Sequence, residues 1–569
     1  MYLRRVQRKN KDGSVVTYLQ IAHNERDPVT GQPRARVLYS FGRADEHNIE
    51  QLRSLVRSIS RFLSPEDVLQ AQAALKGQGG LRFIESRPLG GAWVLDALWK
   101  QIGIHRLLER LAQKRAFRTP VERAIFAMVA NRALAPDSKR KVETWVREQV
   151  AIPGLEDIPL QQLYRAMDFL LEVHEELQRE VYYAVADLLN LEVDLLYFDT
   201  TSTYFEIETD ALDEDGNEGP RRNERSSTLR RHGHSKDHRP DLPQVVIGLA
   251  VTRDGLPVRC WVWPGNTADM SVVEQVKQDL TGWRLGRVIT VVDRGFASEE
   301  NLRIIQRAGG HYIAGEKLRA GKREVAEALG RGGRYQQVKA NLHVKEIVVG
   351  DGEARRRYVL VYNPEQAKRD RLRREKLVEH LEAELAQLKT LPSGQHTKAV
   401  CALLSHPTYS RYLAQTKGGK LRINRARLRD EERLDGKYLL RTSDDTLSAE
   451  DVALGYKQLI EVESAFRTLK STLDLRPVYH RIDDRIRSHV LLCWLALLLV
   501  RLVEIRTQRT WPAVRDMLQT MHLGKFVADR AEVYQRTETT RQQAEILSAL
   551  KIDPPPEILR IETDNPETA

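Results

Sequence analysis

Three acidic residues stand where the sequence pattern changes. Asp199 follows the short apolar run Leu195-Leu196-Tyr197-Phe198, and Asp293 closes a second run of buried-strand type over 288–292. Runs of this length and composition read as strands, and adjacent parallel strands lie about 4.8 Å apart, so the two carboxylates would sit side by side at one sheet edge. Two such charges repel unless cations bridge them. The third residue, Glu463, falls in a helical stretch that begins at Ser448-Ala449-Glu450-Asp451, a capping-box-like start, and runs to about residue 473. At about 100° per residue, Tyr456, Leu459, Glu463, Arg467 and Lys470 share roughly an 80° arc of that helix, while Glu461 points elsewhere. Asp199, Asp293 and Glu463 together would form a triad of hard oxygen ligands suited to Mg²⁺ or Mn²⁺. Two such ions about 4 Å apart activate a water or a 3′-hydroxyl and stabilise the leaving oxygen of an in-line displacement at phosphorus. Arg467, Lys470 and Tyr456 on the same face would hold the phosphates. For the helix alone the rival reading is an i,i+4 surface ion pair of Glu463 with Arg467.

The elements that must position these residues follow from periodicity. Gln244 to Thr252 and Val258 to Trp263, joined by an Asp254-Gly255 turn, read as a hairpin; helical spacing over 269–280, the strand at 288–292, a helix capped by Ser298 and a short strand at 311–314 come next. The predicted order is strand, hairpin, helix, strand, helix, strand, a mixed α/β pattern that carries ligands outside the strand ends. A strand-rich stretch with a charged helix near 369–388 and a basic segment at 417–429 interrupts it. The resulting division is 192–315 for the first part of the core, 316–435 for an inserted subdomain, and 436–510 for the second part with the helix of Glu463. Before the core stand a basic region of strands and a helix at 1–76, a linker at 77–91 and a helical module at 92–191; a helical region and tail at 511–569 follow it. The basic strands, with Arg4, Arg5, Arg8, Lys9, Arg34, Arg36 and Arg43, read either as a DNA-phosphate surface or as an ordinary solvated face.

Three blocks of the chain resemble the bacterial insertion-sequence transposases of the DDE class: Tyr197-Phe198-Asp199-Thr200-Thr201, Val291-Val292-Asp293-Arg294-Gly295-Phe296, and Tyr456 through Glu463-Ser464-Ala465-Phe466-Arg467 to Lys470. The last is similar to the Tyr-x2-Arg-x3-Glu-x6-Lys signature of the IS-four superfamily, and its continuation Arg476-Pro477-Val478-Tyr479-His480 resembles the IS-sixteen-thirty-four branch. The signature arginine position is Leu459 here. The resemblance implies an RNase H-like catalytic core interrupted between its last strand and the Glu463 helix, preceded by a small β and a helical N-terminal module. It implies Asp199, Asp293 and Glu463 as catalytic metal ligands, Mg²⁺ or Mn²⁺ as cofactor with two ions per site, and DNA cleavage and strand transfer. The implied partners are double-stranded DNA, as the element's terminal inverted repeats and as target, and a second copy of the chain in a homodimeric DNA complex.

Composition narrows the alternatives. A chain of 569 residues with 41% hydrophobic and 30% charged residues is globular, and Cys260, Cys401 and Cys493 are too few and scattered for a disulfide framework or a paired-cysteine zinc site. Ninety Lys and Arg against 79 Asp and Glu give a net charge of +11, which favours a polyanionic partner. No apolar signal core opens the sequence, and the run at 490–500 is too short to span a bilayer and reads as a buried helix. These features predict a cytoplasmic, nucleoid-associated protein without a membrane partner. A structure-specific nuclease on the same core, and a domesticated DNA-binding protein with an idle site, are the competing functions; intact Asp199, Asp293 and Glu463 argue against the latter. Arg294 reads as a phosphate contact or a structural ion pair, and Trp263 with Asn266 as a base-stacking edge or as core. His232, His234 and His238 carry the pattern of a zinc site without partner ligands at a matching spacing.

Overall fold

The computed structural model describes residues 2–10, 15–26, 33–44, 82–113, 115, 120–189, 195–206, 228–281, 283, 288–319, 321–528 and 531–563. The chain forms two compact units. The smaller holds the N-terminal strands β1 (Tyr2–Lys9), β2 (Val15–Arg26) and β3 (Pro33–Arg43), an antiparallel meander in the order β1-β2-β3. Leu19, Ala22 and Phe41 are buried, while Arg4, Arg5, Arg8, Lys9, Arg36 and Arg43 are exposed. The predicted helix after residue 49, and Arg34's side chain, lie outside the described residues. The predicted linker at 77–91 is corrected in its second half, where β4 (Arg82–Pro88) forms.

The larger unit opens with six helices: α1 (Gly90–Gln101), α2 (Ile104–Ala112), α3 (Val121–Leu134), α4 (Lys139–Glu148), α5 (Leu160–Glu172) and α6 (His174–Leu189). The sheet then begins with β5 (Leu195–Tyr204), β6 (Gln244–Thr252) and β7 (Pro257–Pro264), followed by α7 (Val273–Leu280), β8 (Ile289–Val292), α8 (Glu299–Gln306) and β9 (His311–Glu316). Strand β8 lies parallel between β5 and β9, whereas β6 and β7 run antiparallel on the far side of β5. These five therefore lie in the order β7-β6-β5-β8-β9.

The interrupting segment does not stand apart. It contributes α9 (Arg323–Gly330), β10 (Gln336–Lys339), β11 (Leu342–Val349), β12 (Arg356–Tyr362), α10 (Pro364–Leu388), α11 (Ser393–Ser405), β13 (Leu413–Gln415), β14 (Leu421–Ile423) and α12 (Arg425–Glu432), and the chain leaves it in β15 (Lys437–Thr442). Strand β15 pairs antiparallel with β9, and β12, β11 and β10 follow, so the sheet grows to nine strands in the order β10-β11-β12-β15-β9-β8-β5-β6-β7. Beyond that extension, α10 and α11 close on β13 and β14 over a small core of Leu381, Leu388, Leu403, Tyr412 and Leu413.

The predicted continuous helix at 448–473 is broken. Ser448 and Asp451 form the expected reciprocal capping box, but α13 (Ala449–Lys457) stops, α14 (Ile460–Arg467) restarts after Leu459, and residues Thr468–Thr472 form a π-helical turn. Helix α15 (Asp483–Thr507) contains the apolar run and is buried as expected, with 83% of its most apolar window inside the protein. It packs on α3 and α5 as well as on the sheet side, with the Ser488 hydroxyl donating to the Met167 carbonyl at 2.8 Å. One hydrophobic core consequently joins the helical module to the strands.

The predicted helical C-terminal region is also corrected. It contains α16 (Trp511–Gln519), β16 (His522–Ala528), β17 (Ala531–Arg536), α17 (Arg541–Leu550) and β18 (Ile558–Thr563). The three strands join β4 in a sheet of order β18-β17-β16-β4. Residues so far apart in sequence pair only through tertiary structure, which local periodicity does not reveal.

Because α15 serves both the module and the sheet, Leu495→Ala, at a side chain with no solvent exposure, is expected to lower the stability of the larger unit by about 2–5 kcal/mol. Denaturant unfolding followed by circular dichroism checks this, and module and sheet should lose structure in one transition.

Candidate active site at the centre of the sheet

The pairing register places the first two acidic residues. Phe198 is opposite Val292 in the parallel β5–β8 pair, so the next residues, Asp199 and Asp293, stand level on neighbouring strands. Tyr197 and Val291 belong to the core on the α13–α15 side, whereas Phe198 and Val292 belong to the opposite core. With a period of two, Asp199 and Asp293 both face α13–α15. Asp199 does not end its strand as the sequence pattern predicts. Strand β5 continues to Tyr204 through Thr200, Thr201, Ser202 and Thr203, all buried, because β6 pairs with it along its whole length.

The Asp199 carboxylate is largely enclosed. Burial pushes its pKa up to about 6, the Lys236 ammonium and the Thr200 N–H work against that rise, and the charges of Asp269 and Asp293 add to it. Lys236 Nζ lies 3.9 Å from Asp199 Oδ1 and 3.2 Å from Asp269 Oδ2, and it donates to the carbonyl and the hydroxyl of Thr200, each at 2.7 Å. The Thr200 hydroxyl in turn donates to Asp269 Oδ1 at 2.5 Å. Lys236 and Asp269 escaped the sequence reading; the only local signal was the charge in the loop after residue 228 and the acid following the Pro264-Gly265-Asn266 turn.

Helix α13 delivers Tyr456, whose hydroxyl donates to Asp293 Oδ1 at 2.9 Å. Burial and then the Asp293 charge raise the pKa of this phenol, so it remains a donor. The ring reaches Asp293 only because β9 has Gly315 there: a Cβ at that position would lie 2.3 Å from the Tyr456 hydroxyl oxygen. At the helix break the Tyr197 hydroxyl donates to Gln458 Oε1 at 2.9 Å, tying β5 to the junction between α13 and α14.

The remaining predicted site residues separate. Glu463 on α14 is exposed, as is Arg467, and Glu461 is engaged by Arg501 at 3.1 Å. Lys470, in the π turn, pairs with Asp237 at 2.8 Å, and Arg476 reaches the other oxygen of Asp237 at 3.2 Å. Arg294 is exposed. The single helix assumed for the shared face is thus corrected: it breaks after Lys457 and ends in a π turn, with Tyr456 on Asp293, Glu463 exposed and Lys470 on Asp237. Trp263 is core, stacked on Trp261 with its indole N–H donating to Gln275, and Asn266 is exposed. Among the described residues no group of three or more His, Cys, Asp or Glu side chains is closed around a metal position, the histidines of the 228–243 loop included.

The donor chemistry nevertheless fits a divalent cation. Asp199 and Asp293 present hard oxygens on one face, and their mutual repulsion is relieved by an ammonium and a phenol rather than by matched ion pairs.

Two family profiles match the chain. A profile of the IS1634 family transposase N-terminal domain matches residues 3–71, and one of the transposase DDE domain matches residues 226–499, which contain Asp293, Glu463 and Lys470; Asp199 precedes the match. Among solved structures, a piggyBac transposase synaptic complex with hairpin DNA is similar over 75% of this chain and 76% of that chain at 10% identity, with a TM-score of 0.33, too distant to bear on the site. No curated protein matches the chain. The matches define a DDE transposase, a divalent-metal-dependent enzyme that binds DNA and whose mixed α/β fold is built on a large sheet. The chain belongs to the IS1634 family of these transposases.

Crowding around Asp293 and burial of Asp199 each set a measurable cost. Gly315→Ala drives a Cβ against Tyr456 and is expected to cost about 1–3 kcal/mol, most of which Tyr456→Phe in the same chain restores by removing the clashing hydroxyl; unfolding of both variants measures the coupling. Asp199 ionises near pH 6 in the folded protein against 3.8 when unconstrained, so its charge costs stability above pH 6 and costs nothing below the unfolded value, where both states are protonated. In metal-free buffer Asp199→Asn should therefore raise the unfolding midpoint at pH 8, with the gain vanishing near pH 4.

Proposed function

We propose that Asp199, Asp293 and Glu463 are the catalytic metal ligands of this transposase, holding Mg²⁺ or Mn²⁺, with two ions in the working site. The observation that carries the reading is the β5–β8 register, which levels Asp199 with Asp293 on the face that α13 and α14 cover. Bound divalent ions neutralise the carboxylates and supply Lewis-acid activation of the attacking and leaving oxygens at phosphorus. Asp199 and Asp293 hold the cations from fixed strands, and Glu463 completes the set from α14. Tyr456 acts as a positioning residue, its hydroxyl fixing the orientation of Asp293. Arg294 and Arg467, both exposed, together with Lys470, bind the DNA backbone.

The substrates in this reading are the element's terminal inverted repeats, which are cleaved, and a target duplex, to which they are joined, within a homodimeric complex. The five-strand order β7-β6-β5-β8-β9, with β5, β8 and β9 parallel, supports an RNase H-like core. The segment 316–435 is its insertion, joined to the sheet where β12 pairs with β15. The exposed arginines and lysine of β1–β3 support DNA contact by the N-terminal unit.

Asp199→Asn, Asp293→Asn and Glu463→Gln are each expected to abolish Mg²⁺-dependent cleavage of a duplex carrying the element end while keeping most of the binding, since each removes one anionic ligand at nearly constant shape. Electrophoretic binding and single-turnover cleavage on the purified proteins check this, and near-native cleavage by any variant removes that residue from the ligand set.

A further inference from the structure

The loop between β5 and β6 places two consecutive residues of opposite charge in two different charged surroundings. Lys236 enters the acidic group, 3.9 Å from Asp199 and 3.2 Å from Asp269. Asp237 enters the basic group, 2.8 Å from Lys470 and 3.2 Å from Arg476. The backbone that carries them is pinned. The Lys236 N–H donates to the Ser202 hydroxyl at 2.8 Å, and the Arg239 N–H donates to the Ser235 hydroxyl at 3.0 Å. The Gln244 amide donates to the carbonyls of His234 and Gly265 at 3.1 and 2.9 Å. Gly233 passes so close to the strand end that a Cβ there would lie 2.0 Å from the Gly265 carbonyl oxygen. With the main chain held in this way, the side chains of Lys236 and Asp237 are the parts free to exchange partners.

We propose that Lys236 and Asp237 are internal stand-ins for the cation and the DNA phosphate of the reaction, Lys236 occupying the cation side beside Asp199 and Asp269, and Asp237 occupying the phosphate side on Lys470 and Arg476. The inference rests on the catalytic reading above and adds two residues and a competition to it. Charge count is the first argument. One ammonium serves two carboxylates on the acidic side, and one carboxylate serves two cations on the basic side, so both halves are left under-neutralised, as sites awaiting a divalent cation and an anion should be. Geometry is the second. Asp237 Oδ2 is buried without a hydrogen bond although Arg476 is 3.2 Å away, so the carboxylate satisfies one cation and only approaches the other. A phosphodiester has two non-bridging oxygens carrying a shared charge and can accept from a lysine and an arginine together. Burial also pulls the pKa of Lys470 below its ordinary value against the pull of Asp237, so the site holds an ammonium that a better anion would stabilise. An ordinary structural ion pair, by contrast, gains nothing from an external anion, and removing one partner simply leaves the other buried and uncompensated.

The test separates competition from structural support. In metal-free buffer, binding of a fluorescein-labelled duplex carrying the element end is measured by anisotropy for the full-length protein. Asp237→Asn is expected to tighten binding by roughly five- to tenfold, because DNA no longer competes with an internal carboxylate for a charge-assisted contact, and the gain should disappear in a Lys470→Ala background. Folded Asp237→Asn protein that binds equally or more weakly overturns the proposal. On the cation side, Lys236→Met is titrated with Mn²⁺ alone by calorimetry. Affinity raised by about threefold or more supports the stand-in role, and unchanged or weaker affinity overturns it. Should Asp237→Asn fail to fold, the Lys236→Met titration decides. Neither measurement uses cleavage, so failure of the catalytic ligand assignment, read from Asp199→Asn, Asp293→Asn and Glu463→Gln, is distinguishable from failure of this inference.

Discussion

The parallel pairing of β5 with β8 forces two carboxylates into register in a partly desolvated place, and much of the surrounding structure answers that repulsion. Neighbouring strands cannot separate Asp199 from Asp293 without breaking the ladder that joins Phe198 to Val292. Burial makes the charge costlier still, as the upward shift of Asp199 to about 6 records. The compensation comes from the neighbouring Thr200 N–H on β5 and from two distant parts of the chain, Lys236 in the β5–β6 loop and the Tyr456 hydroxyl on α13. None of these contacts neutralises the pair completely. A fold optimised for stability alone would replace such a group with apolar residues, so the arrangement is evidence for chemistry at this sheet position.

Tyr456 shows how tightly that arrangement constrains elements remote from it. Its ring crosses β9 only over Gly315, stacks beside Tyr438 of β15, and ends on Asp293. Strand β15 joins β9 to β12 of the interrupting segment, so the sheet extension supports the residue that orients Asp293. This gives the long interruption a structural place in the site, beyond that of an appended surface lobe. Helix α15 does the same from beneath: Arg501 on it engages Glu461 of α14, fixing the rotation of the helix that carries Glu463.

The two aspartates were legible in the sequence because a short apolar run that stops at an acid reads as a buried strand with a charge held at its end. The hairpin, the Ser298 cap and the Ser448 capping box were legible because their determinants lie within a few residues. The course of β5 past Asp199 was not. Thr200 to Thr203 are polar by composition, yet pairing with β6 buries them, a tertiary effect that overrides local polarity. The break between α13 and α14 was hidden because Lys457, Gln458 and Leu459 are all good helix formers; the bond from Tyr197 to Gln458 that accompanies the break spans 261 residues. Asp237, paired with a lysine 233 positions away, and the C-terminal strands that meet β4 lie equally beyond any local pattern.

These differences leave the three acidic residues on supports of unequal stiffness. Asp199 lies mid-strand, paired with Leu249 of β6 and one residue past the β8 ladder, and Asp293 directly follows a strand bounded by β5 and β9. Glu463 lies on an eight-residue helix between an interrupted turn and a π turn, exposed to solvent. Strand hydrogen bonds must break together for an aspartate to move, whereas a short helix flanked by two irregular turns can shift by small dihedral changes at its ends. In the proposed site, the freedom to adjust therefore lies in α14 and the π turn with Lys470. The Tyr197–Gln458 bond limits that movement at one end, the Lys470–Asp237 pair limits it at the other, and the Arg501–Glu461 pair holds the first turn of α14 between them. If Glu463 completes the ligand set as proposed, exchange of Asp237 for a phosphate would release the second restraint and so link DNA engagement to the placing of the third carboxylate.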